Sequence, residues 1–267
     1  MSVATPFQTL FAVPMTCDGC AKDITDALHK LPGIIKVEAS VKDQLVSIEG
    51  TAAPSAIVEA IQATGRDAIL RGSGSSNISI LETYHHDHRQ EAEVTPADAD
   101  ANSGSWVNQR LVRGLARMVQ VSPTETVVDL TVRGVPPGTY RATIREYGNL
   151  KDGASSTGPV WSAPEGNKME NGGSGPRGYL GTVEVGPNGY GSAFLNKPFQ
   201  VWEVIGRALV VSRMDEGEGK PLSNEEDTVV GVIARSAGVW DNDKTVCSCT
   251  GKTLWEERKD EVAKGML

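Results

Sequence analysis

The chain has 267 residues, of which 39% are hydrophobic and 22% charged, and this balance excludes a wholly disordered protein. Its net charge of −8 disfavours a general nucleic-acid-binding surface, which would normally be basic. No apolar run approaches the roughly 20 residues of a membrane-spanning helix. Residues 1–10 have neither the basic start nor the apolar core of a signal peptide, so we expect no secretion by that route.

Residues 7–70 alternate between strand and helix patterns. Four segments have alternating or β-branched sequences and predict strands, at Phe7 to Val13, Ile34 to Ala39, Gln44 to Ile48 and Arg66 to Leu70. Two segments have apolar residues at helical spacing, Asp18 to Leu31 before Pro32-Gly33, and Pro54 to about Ala63. The order βαββαβ is typical of a small open sheet with two helices on one face.

The pattern changes after residues 71–76, whose sequence RGSGSS predicts a flexible linker. Seven further segments have strand-like sequences, at 78–83, 111–121, 126–132, 140–147, 181–185, 208–212 and 229–234. Gly/Pro turns separate many of them and no long helical stripe intervenes, which is typical of an all-β sandwich or barrel. After Ser236 apolar periodicity is weak until residues 253–262, where the sequence allows a short terminal helix.

The four cysteines form two close pairs near opposite ends of the chain, Cys17 with Cys20 and Cys247 with Cys249. Disulfide proteins of this size usually scatter their cysteines, so two close pairs indicate metal or redox sites in a reducing compartment. The first pair lies in PMTCDGC, residues 14–20, where the N-terminus of the predicted helix stabilises thiolates. Two thiolates alone suit Cu(I) better than Zn²⁺, which usually takes four ligands. A thioredoxin-type redox pair is the alternative.

The Met15-x-Cys17-x-x-Cys20 pattern, its position and the βαββαβ order resemble the ferredoxin-like heavy-metal-associated domains of copper chaperones and copper ATPases. The resemblance implies that Cys17 and Cys20 hold Cu(I), and that Met15 points inward and shapes the loop. Members of that family often carry a basic residue that offsets the charge of the Cu(I)-dithiolate. Arg66 would have this role here, and a solvated turn residue is the alternative.

Four segments together resemble the Cu,Zn superoxide dismutase β-sandwich in order and spacing: GVPPGTYRATIREYGN at 134–149, STGPVW at 156–161, IGRALVVS at 205–212 and GVIARSAG at 231–238. The resemblance implies the fold but not the enzyme, because redox copper in that family needs several imidazoles on rigid strands. The four copper-histidine positions hold Thr143, Arg145, Val160 and Ser212. The zinc-aspartate position holds Tyr179, and the positions of the family's internal disulfide hold Ala154 and Val230.

Because the body lacks the copper site, we expect its role to be that of a surface that binds a partner. The resemblance implies the surface through which superoxide dismutases form their homodimer, here the loop Tyr147-Gly148 and the strand Ile205-Gly206-Arg207. Trp202 lies just upstream, and a large aromatic beside a Gly-Arg pair suits an interface. Core packing is the alternative for Trp202.

The second cysteine pair lies in VCSCTG, residues 246–251. In an extended chain residues i and i+2 point to the same side, so Cys247 and Cys249 can meet one Cu(I) or form a small, strained disulfide that exchanges readily. With the flanking segments GVIARSAGVWDNDK and TGKTLWEERKD, this motif closely resembles the C-terminal region of the copper chaperones for superoxide dismutase, particularly fungal forms. The whole chain is similar to that family in the order of its parts.

We therefore predict a multi-domain protein with four parts along the chain: a ferredoxin-like α+β head that binds Cu(I) at 1–72, a linker at 73–76, an all-β Greek-key sandwich body for docking at 77–235, and a largely irregular C-terminal tail at 236–267.

The resemblance implies a metallochaperone rather than an enzyme. The head takes Cu(I), the body docks on immature Cu,Zn superoxide dismutase as a heterodimer, and copper is delivered. Cys247 and Cys249 promote the client's internal disulfide by thiolate attack and a mixed disulfide. The same surface would allow a homodimer.

Two alternatives stay open for the function. One is an active dismutase with an added head, against which the missing histidines argue. The other is a general Cu(I) carrier that loads a transport ATPase, which the head alone would permit. The absent signal and the resemblance together imply the cytoplasm and, in part, the mitochondrial intermembrane space.

Overall fold

A computed structural model describes residues 5–73, 76–84, 112–162, 176–213, 222–236 and 251–263. The head contains strands and helices in the predicted order, β1 (Phe7–Ala12), α1 (Asp18–Leu28), β2 (Ile34–Ser40), β3 (Leu45–Gly50), α2 (Pro54–Gln62) and β4 (Ile69–Ser73). Its antiparallel sheet has the order β2-β3-β1-β4. The predicted α+β fold of the head is confirmed.

Apolar residues four apart pack both helices of the head against the sheet. α1 buries Ile24 and Leu28, and α2 buries Ile57 and Ile61, as expected of amphipathic helices. They share one core with residues of the sheet and the loops, Phe11, Val13, Met15, Val46, Ile48, Ala52 and Ala68. Because Met15 belongs to this core, the loop before α1 is fixed to it by a side chain.

Several element boundaries of the head differ from the sequence prediction, most clearly the end of α1 and both ends of β4. α1 ends three residues early, because the N–H groups of Lys30 and Leu31 donate to carbonyls three residues back and tighten the last turn. β4 begins at Ile69 instead of Arg66. The Arg66 side chain donates to the Thr64 carbonyl in the turn after α2, so this residue belongs to the turn.

The body is built from β-strands, as predicted. Its described strands are β5 (Ser76–Thr83), β6 (Val112–Gln120), β7 (Thr126–Arg133), β8 (Gly138–Arg145), β9 (Tyr179–Val185), β10 (Tyr190–Lys197), β11 (Ala208–Arg213), β12 (Val229–Val232) and β13 (Ala234–Arg235). They form one sheet in the order β10-β7-β6-β5-β12-β11-β8-β9, with β13 beside β5. A tight turn joins β9 to β10, with the Gly186 N–H donating to the Tyr190 carbonyl. The two ends of the sheet therefore meet in a barrel-like body.

Short helices complete the described structure. They are a 3₁₀ helix at Gly153–Thr157, α3 at Val201–Val204 and, in the tail, α4 at Leu254–Ala263. In the part of the chain that the structure describes, no helix is both long and apolar enough to cross a membrane.

Strands border the expected linker on both sides, with β4 ending at Ser73 and β5 beginning at Ser76. Ser73 pairs with Thr9 in the head sheet, and Ser76 pairs with Val119 in the body sheet. Of the predicted linker, only residues 74–75 lie outside the described residues.

Most strands of the body differ from the prediction by one or two residues, and Ile205-Gly206-Arg207, expected as a strand, lies between α3 and β11. β10 was missed because its sequence YGSAFLNK has weak strand propensity. It forms because β7 offers eight paired residues, from Arg133 opposite Tyr190 to Thr126 opposite Lys197. β8 ends at Arg145, two residues before the predicted end, because Tyr147-Gly148 leaves the sheet to approach Gly206.

Polar groups of α2 meet the body at strand β7. Asp129 is only 1% exposed, and its carboxylate accepts hydrogen bonds from the Ser55 backbone N–H at 2.8 Å and from the Ser55 hydroxyl at 2.6 Å. Arg117 of β6 lies 3.5 Å from the same carboxylate. Ala53, which precedes α2, has no side-chain acceptor, so Asp129 caps this helix from the body. We call the group Ser55, Asp129 and Arg117 the interdomain cap.

The interdomain cap joins the head at the end away from its cysteines. β1 and β3 run antiparallel with Phe7 opposite Gly50, so the start of α2, which follows β3, lies near the start of β1. The cysteine loop follows the other end of β1. Farther along α2 the Tyr190 hydroxyl donates to Glu59 at 2.8 Å. The hydrogen bonds between the described residues of body and head thus involve α2, at Ser55 and Glu59, and not the residues that follow β1.

Candidate functional site

Cys17 and Cys20 lie together at the start of α1. Cys17 is the residue that precedes the helix, and its carbonyl accepts a hydrogen bond from the Cys20 N–H at 3.0 Å. Their sulfur atoms are 3.7 Å apart. Both are free thiols, Cys17 exposed and Cys20 half-buried. Two sulfur atoms this close together can contact the same ion.

The surroundings of Cys20 favour its thiolate form. Hydrogen bonds lower the pKa of Cys20 from 9.0 to about 6, first from the Thr16 hydroxyl, then from the Thr16 backbone, the Arg66 side chain and the Cys17 backbone. The Thr16 oxygen lies 3.4 Å from the Cys20 sulfur. Because the thiolate is the form that binds metals, this residue is ready to bind a soft ion at neutral pH.

Arg66 lies in the turn after α2 and interacts with Cys20. Its guanidinium donates to the Thr64 carbonyl at 3.1 Å and to the Asp23 carboxylate at 3.2 Å. The interaction with Cys20 raises the pKa of Arg66. Of the two roles that the sequence left open, this placement favours the offset of thiolate charge.

Met15 lies in the core of the head, with only 3% of its surface exposed. Its backbone N–H donates to the Gln44 side-chain oxygen at 2.7 Å, and its carbonyl accepts a hydrogen bond from the Gln44 amide. Sequence reasoning missed Gln44, since 29 residues separate it from Met15 and no motif includes it.

Cys247 and Cys249 lie outside the described residues. The described part of the tail includes α4, where Arg258 forms an ion pair with Asp67 of the head, 3.3 Å from nitrogen to oxygen. Asp67 directly follows Arg66, so α4 contacts the head next to the residue that faces Cys20.

The dismutase-like positions of the body lie on the expected strands. Thr143 and Arg145 are in β8, and Ser212 is in β11. Arg145 donates to the Gly158 carbonyl at 2.9 Å, and Val160 bridges to Arg145. In the described parts of the chain, no group of three His, Cys, Asp or Glu side chains could hold a metal ion.

Apolar packing occupies the two positions of the family's internal disulfide. Ala154 and Val230 are both buried in one small cluster, with Tyr84, Ala208, Val210 and Leu222. At these two positions apolar packing therefore replaces the disulfide bond that the resemblance would place there.

The predicted docking residues lie on two segments that meet. A side chain at Gly148 would place its Cβ 2.0 Å from the Gly206 carbonyl oxygen, so the two backbones touch. Tyr147 is 57% exposed and Trp202 64%. Core packing, the alternative for Trp202, is excluded. Arg207 instead turns inward and donates to the Glu146 carbonyl and carboxylate, both at 2.8 Å.

The structure adds two exposed side chains to this surface. Gly206 and Arg207 exchange backbone hydrogen bonds with Ile233, which places Val232 beside them, and Val232 is exposed. Ile80 of β5 is also exposed, and its carbonyl lies against Gly231. Sequence reasoning could not have identified Ile80, because its alternation with polar Ser79 would place the isoleucine in the core, whereas the structure buries Ser79. We call Tyr147, Trp202, Ile205, Val232 and Ile80 the docking patch, whose partner stays a prediction.

Two known families match the chain, one over the head and one over the body. Residues 9–67 match the family described as heavy-metal-associated domain, and residues 112–234 match copper/zinc superoxide dismutase.

Relatives match over nearly the whole chain. The superoxide dismutase 1 copper chaperone of Saccharomyces cerevisiae is 39% identical over 272 aligned residues, which span 100% of both chains. That of Debaryomyces hansenii is 40% identical over 97% of this chain and 98% of its own. The copper chaperone for superoxide dismutase of Homo sapiens is 32% identical over 95% of this chain and 89% of its own. The similarity thus includes head, body and tail.

Proposed function

This chain belongs to the family of superoxide dismutase copper chaperones, as its sequence predicted, and we propose on that premise that it delivers Cu(I) to immature Cu,Zn superoxide dismutase. The observation that carries the proposal is the pair of free thiols at the start of α1, with sulfur atoms 3.7 Å apart.

The head binds Cu(I) through Cys17 and Cys20. Two thiolates on a monovalent ion leave one negative charge, which the Arg66 guanidinium beside Cys20 offsets. A soft ion with two ligands stays open to attack by a third thiolate. Copper can therefore leave by ligand exchange with the client's side chains and never enter solution as a free ion. Cys17, the more exposed thiol, is the one that an incoming ligand reaches first.

The body docks on the client through the docking patch. Exposed aromatic side chains around two touching backbones suit an interface, since Trp and Tyr contribute large contact areas. The Arg207 hydrogen bonds to Glu146 hold the two segments together. Docking as a heterodimer would use the surface that the client uses for its own homodimer, and the same patch would allow a homodimer of this chain.

The tail forms the client's internal disulfide through Cys247 and Cys249. With the tail pair in its disulfide form, a client thiolate attacks one tail sulfur, the tail S–S bond breaks, and a mixed disulfide forms. The second client thiolate then displaces the tail cysteine. The client is oxidised by two electrons, the tail leaves as a dithiol, and dioxygen is the oxidant that restores the tail disulfide.

The test of this function uses reduced, zinc-loaded, copper-free superoxide dismutase as the client. Copper-loaded protein is added with dioxygen and an excess of a Cu(I) chelator, and dismutase activity and client thiols are followed. Activation with disulfide formation despite the chelator supports protected transfer. Cys247→Ser with Cys249→Ser is the control, expected to keep copper on the head and to lose client activation.

Two results would favour the other candidate functions. Copper that passes to an isolated ATPase metal domain but not to the client would indicate a general carrier. Dismutase turnover by the copper-loaded protein alone would indicate an enzyme. We also propose that the protein resides in the cytoplasm and, in part, in the mitochondrial intermembrane space. Subcellular fractionation would test this, with an antibody against this protein and a marker protein for each compartment.

A further inference from the structure

The turn between β2 and β3 contacts the loop that carries the first cysteine. We call residues 13–17, between β1 and the first turn of α1, the metal loop. The Gln44 backbone carbonyl accepts a hydrogen bond from the Val13 N–H at 2.9 Å. The Gln44 side-chain oxygen accepts one from the Met15 N–H at 2.7 Å, and the side-chain nitrogen donates to the Met15 carbonyl. Both backbone polar groups of Met15 are therefore hydrogen-bonded to the same side chain, that of Gln44.

The oxygen and both N–H groups of the Gln44 side-chain amide are hydrogen-bonded. Its nitrogen also donates to the Val41 carbonyl at 2.7 Å, within the same turn. A glutamine amide has one oxygen acceptor and two N–H donors, and here the oxygen and both donors have partners. The side chain is thus a rigid connection between the turn and the metal loop.

The backbone at Gln44 is unusual for this residue type. Its φ is +57°, and among the described residues it is the only non-glycine residue with a positive φ. Glycine or asparagine adopts this conformation with less strain. A strained backbone persists where surrounding contacts determine it. Glycine has no side chain for the contacts to Met15 and Val41, and the asparagine side chain is one methylene shorter than that of Gln44.

Met15 is the point through which Gln44 can act on the thiols. Its side chain is buried in the core of the head, and its backbone is held by Gln44. Thr16, which follows, gives the principal hydrogen bond to Cys20, and Cys17 comes next. With Met15 fixed from both sides, the metal loop has little freedom left at the residues that place the two sulfurs.

We propose that Gln44 is a positioning residue for copper binding, which holds the Met15 backbone so that Cys17 and Cys20 are arranged for one soft ion before it arrives. The inference rests on the proposed function, in which these thiols hold Cu(I). Its physical basis is preorganisation, because a loop that is already ordered loses less conformational freedom when the ion binds.

The test uses the full chain with Cys247→Ser and Cys249→Ser, so that copper reports on the head. Gln44→Gly and Gln44→Asn suit the positive φ but remove or shorten the side chain. We expect Cu(I) affinity, measured by competition with a chelator, to fall about 10-fold in both, as for other residues that orient metal ligands. Asp43→Ala is the matched control: it removes the 2.6 Å hydrogen bond from Ser40 in the same turn and should change affinity less than twofold.

Amide hydrogen exchange separates positioning from general damage. We expect exchange at Met15 to accelerate in both Gln44 variants, while Ile24 and Leu28 in α1 exchange as before. Affinity within twofold of the parent despite faster Met15 exchange would overturn the proposal. So would equal acceleration in α1, since the loss would then be structural.

A further variant distinguishes failure of this inference from failure of the proposed function. Cys17→Ser with Cys20→Ser, in the same background, gives the affinity of a head without thiols. If the parent binds Cu(I) no better than this variant, the proposed function fails and the copper role of Gln44 fails with it. If the parent binds far better and the Gln44 variants equal the parent, only the Gln44 proposal is wrong.

Discussion

Replacing Asp129 with alanine should destabilise the body and loosen its contact with the head. Asp129 is the acceptor for both donors of Ser55 and the partner of Arg117 in the interdomain cap. Burial lowers the pKa of Arg117, while Asp129 opposes this shift. The variant therefore leaves a mostly buried guanidinium without its counter-charge and the N-terminus of α2 without its cap.

The magnitude follows from the burial of each group. Loss of one partner of a buried ion pair costs 3–5 kcal/mol, and the low end, about 3 kcal/mol, applies because Arg117 is 18% exposed and lies 3.5 Å away. Loss of a helix cap adds about 1 kcal/mol. The total of about 4 kcal/mol is a large part of the 5–15 kcal/mol that usually stabilises a protein. Ser55→Ala keeps the backbone hydrogen bond and should cost about 1.5 kcal/mol, the value for a hydrogen bond to a charged group.

Urea unfolding can follow the two parts of the chain separately. All five tryptophans lie after residue 100, but Trp255 belongs to α4, which contacts the head. Fluorescence is therefore followed in a Trp255→Phe background, in which no tryptophan lies in the head or in α4. Among the described helices the longest are α1, α2 and α4, so helical circular dichroism follows the head and the tail helix that contacts it. If the interdomain cap couples the parts, Ser55→Ala should lower the midpoint of the tryptophan transition although the substitution is in the head.

A double-mutant cycle gives the decisive number. Ser55→Ala and Asp129→Ala should couple by about 1.5 kcal/mol, whereas independent sites add within about 0.5 kcal/mol. Ser40→Ala is the matched control, since among the described residues its hydroxyl hydrogen-bonds to Asp43 of the head, and it should leave the tryptophan midpoint unchanged. Coupling below about 0.5 kcal/mol would refute the interdomain cap.

The remaining predictions concern the thiol pair and the docking patch. Thr16→Val should move the pH midpoint of Cys20 alkylation up from about 6 toward 9.0, because it removes the principal hydrogen bond to the thiolate. The lowered pKa of Cys20 also implies that the free energy of unfolding of the head, measured in urea, increases with pH between 6 and 9, and that this contribution is lost once the pH has fallen through 6; a flat profile would contradict it. Trp202→Ala should weaken client binding by about 2 kcal/mol, or roughly 30-fold in sedimentation, while Phe194→Ala, an exposed aromatic outside the docking patch, should change it less than twofold. Gly148→Ala should lower the free energy of unfolding by about 2 kcal/mol, because its methyl would lie 2.0 Å from a backbone oxygen; an unchanged urea midpoint would refute this.

The sequence identified features that depend on residues close together in the chain. Helical spacing in α1 and α2 and the Cys-x-x-Cys motif at a helix start involve residues three or four apart, so periodicity predicted them. Family resemblance predicted an all-β body, as a Greek-key sandwich, because the turn and strand segments occur in order. The tail pair, Cys247 with Cys249, is also a short motif, and its role stays a prediction.

Only the tertiary structure showed which distant residues meet. Gln44 reaches Met15 across 29 residues and Ser55 reaches Asp129 across 74, and neither pair has a motif. Trp202 was ambiguous because the same aromatic residue suits a core or an interface, and its exposure depends on how α3 packs. β10 exists because β7 presents a matching edge, which its own weak propensity does not reveal. The sequence by itself determined the local elements and the thiol chemistry, because neighbours along the chain decide these. The support of the thiols and the contact between head and body arise from hydrogen bonds that form only after folding brings distant segments together.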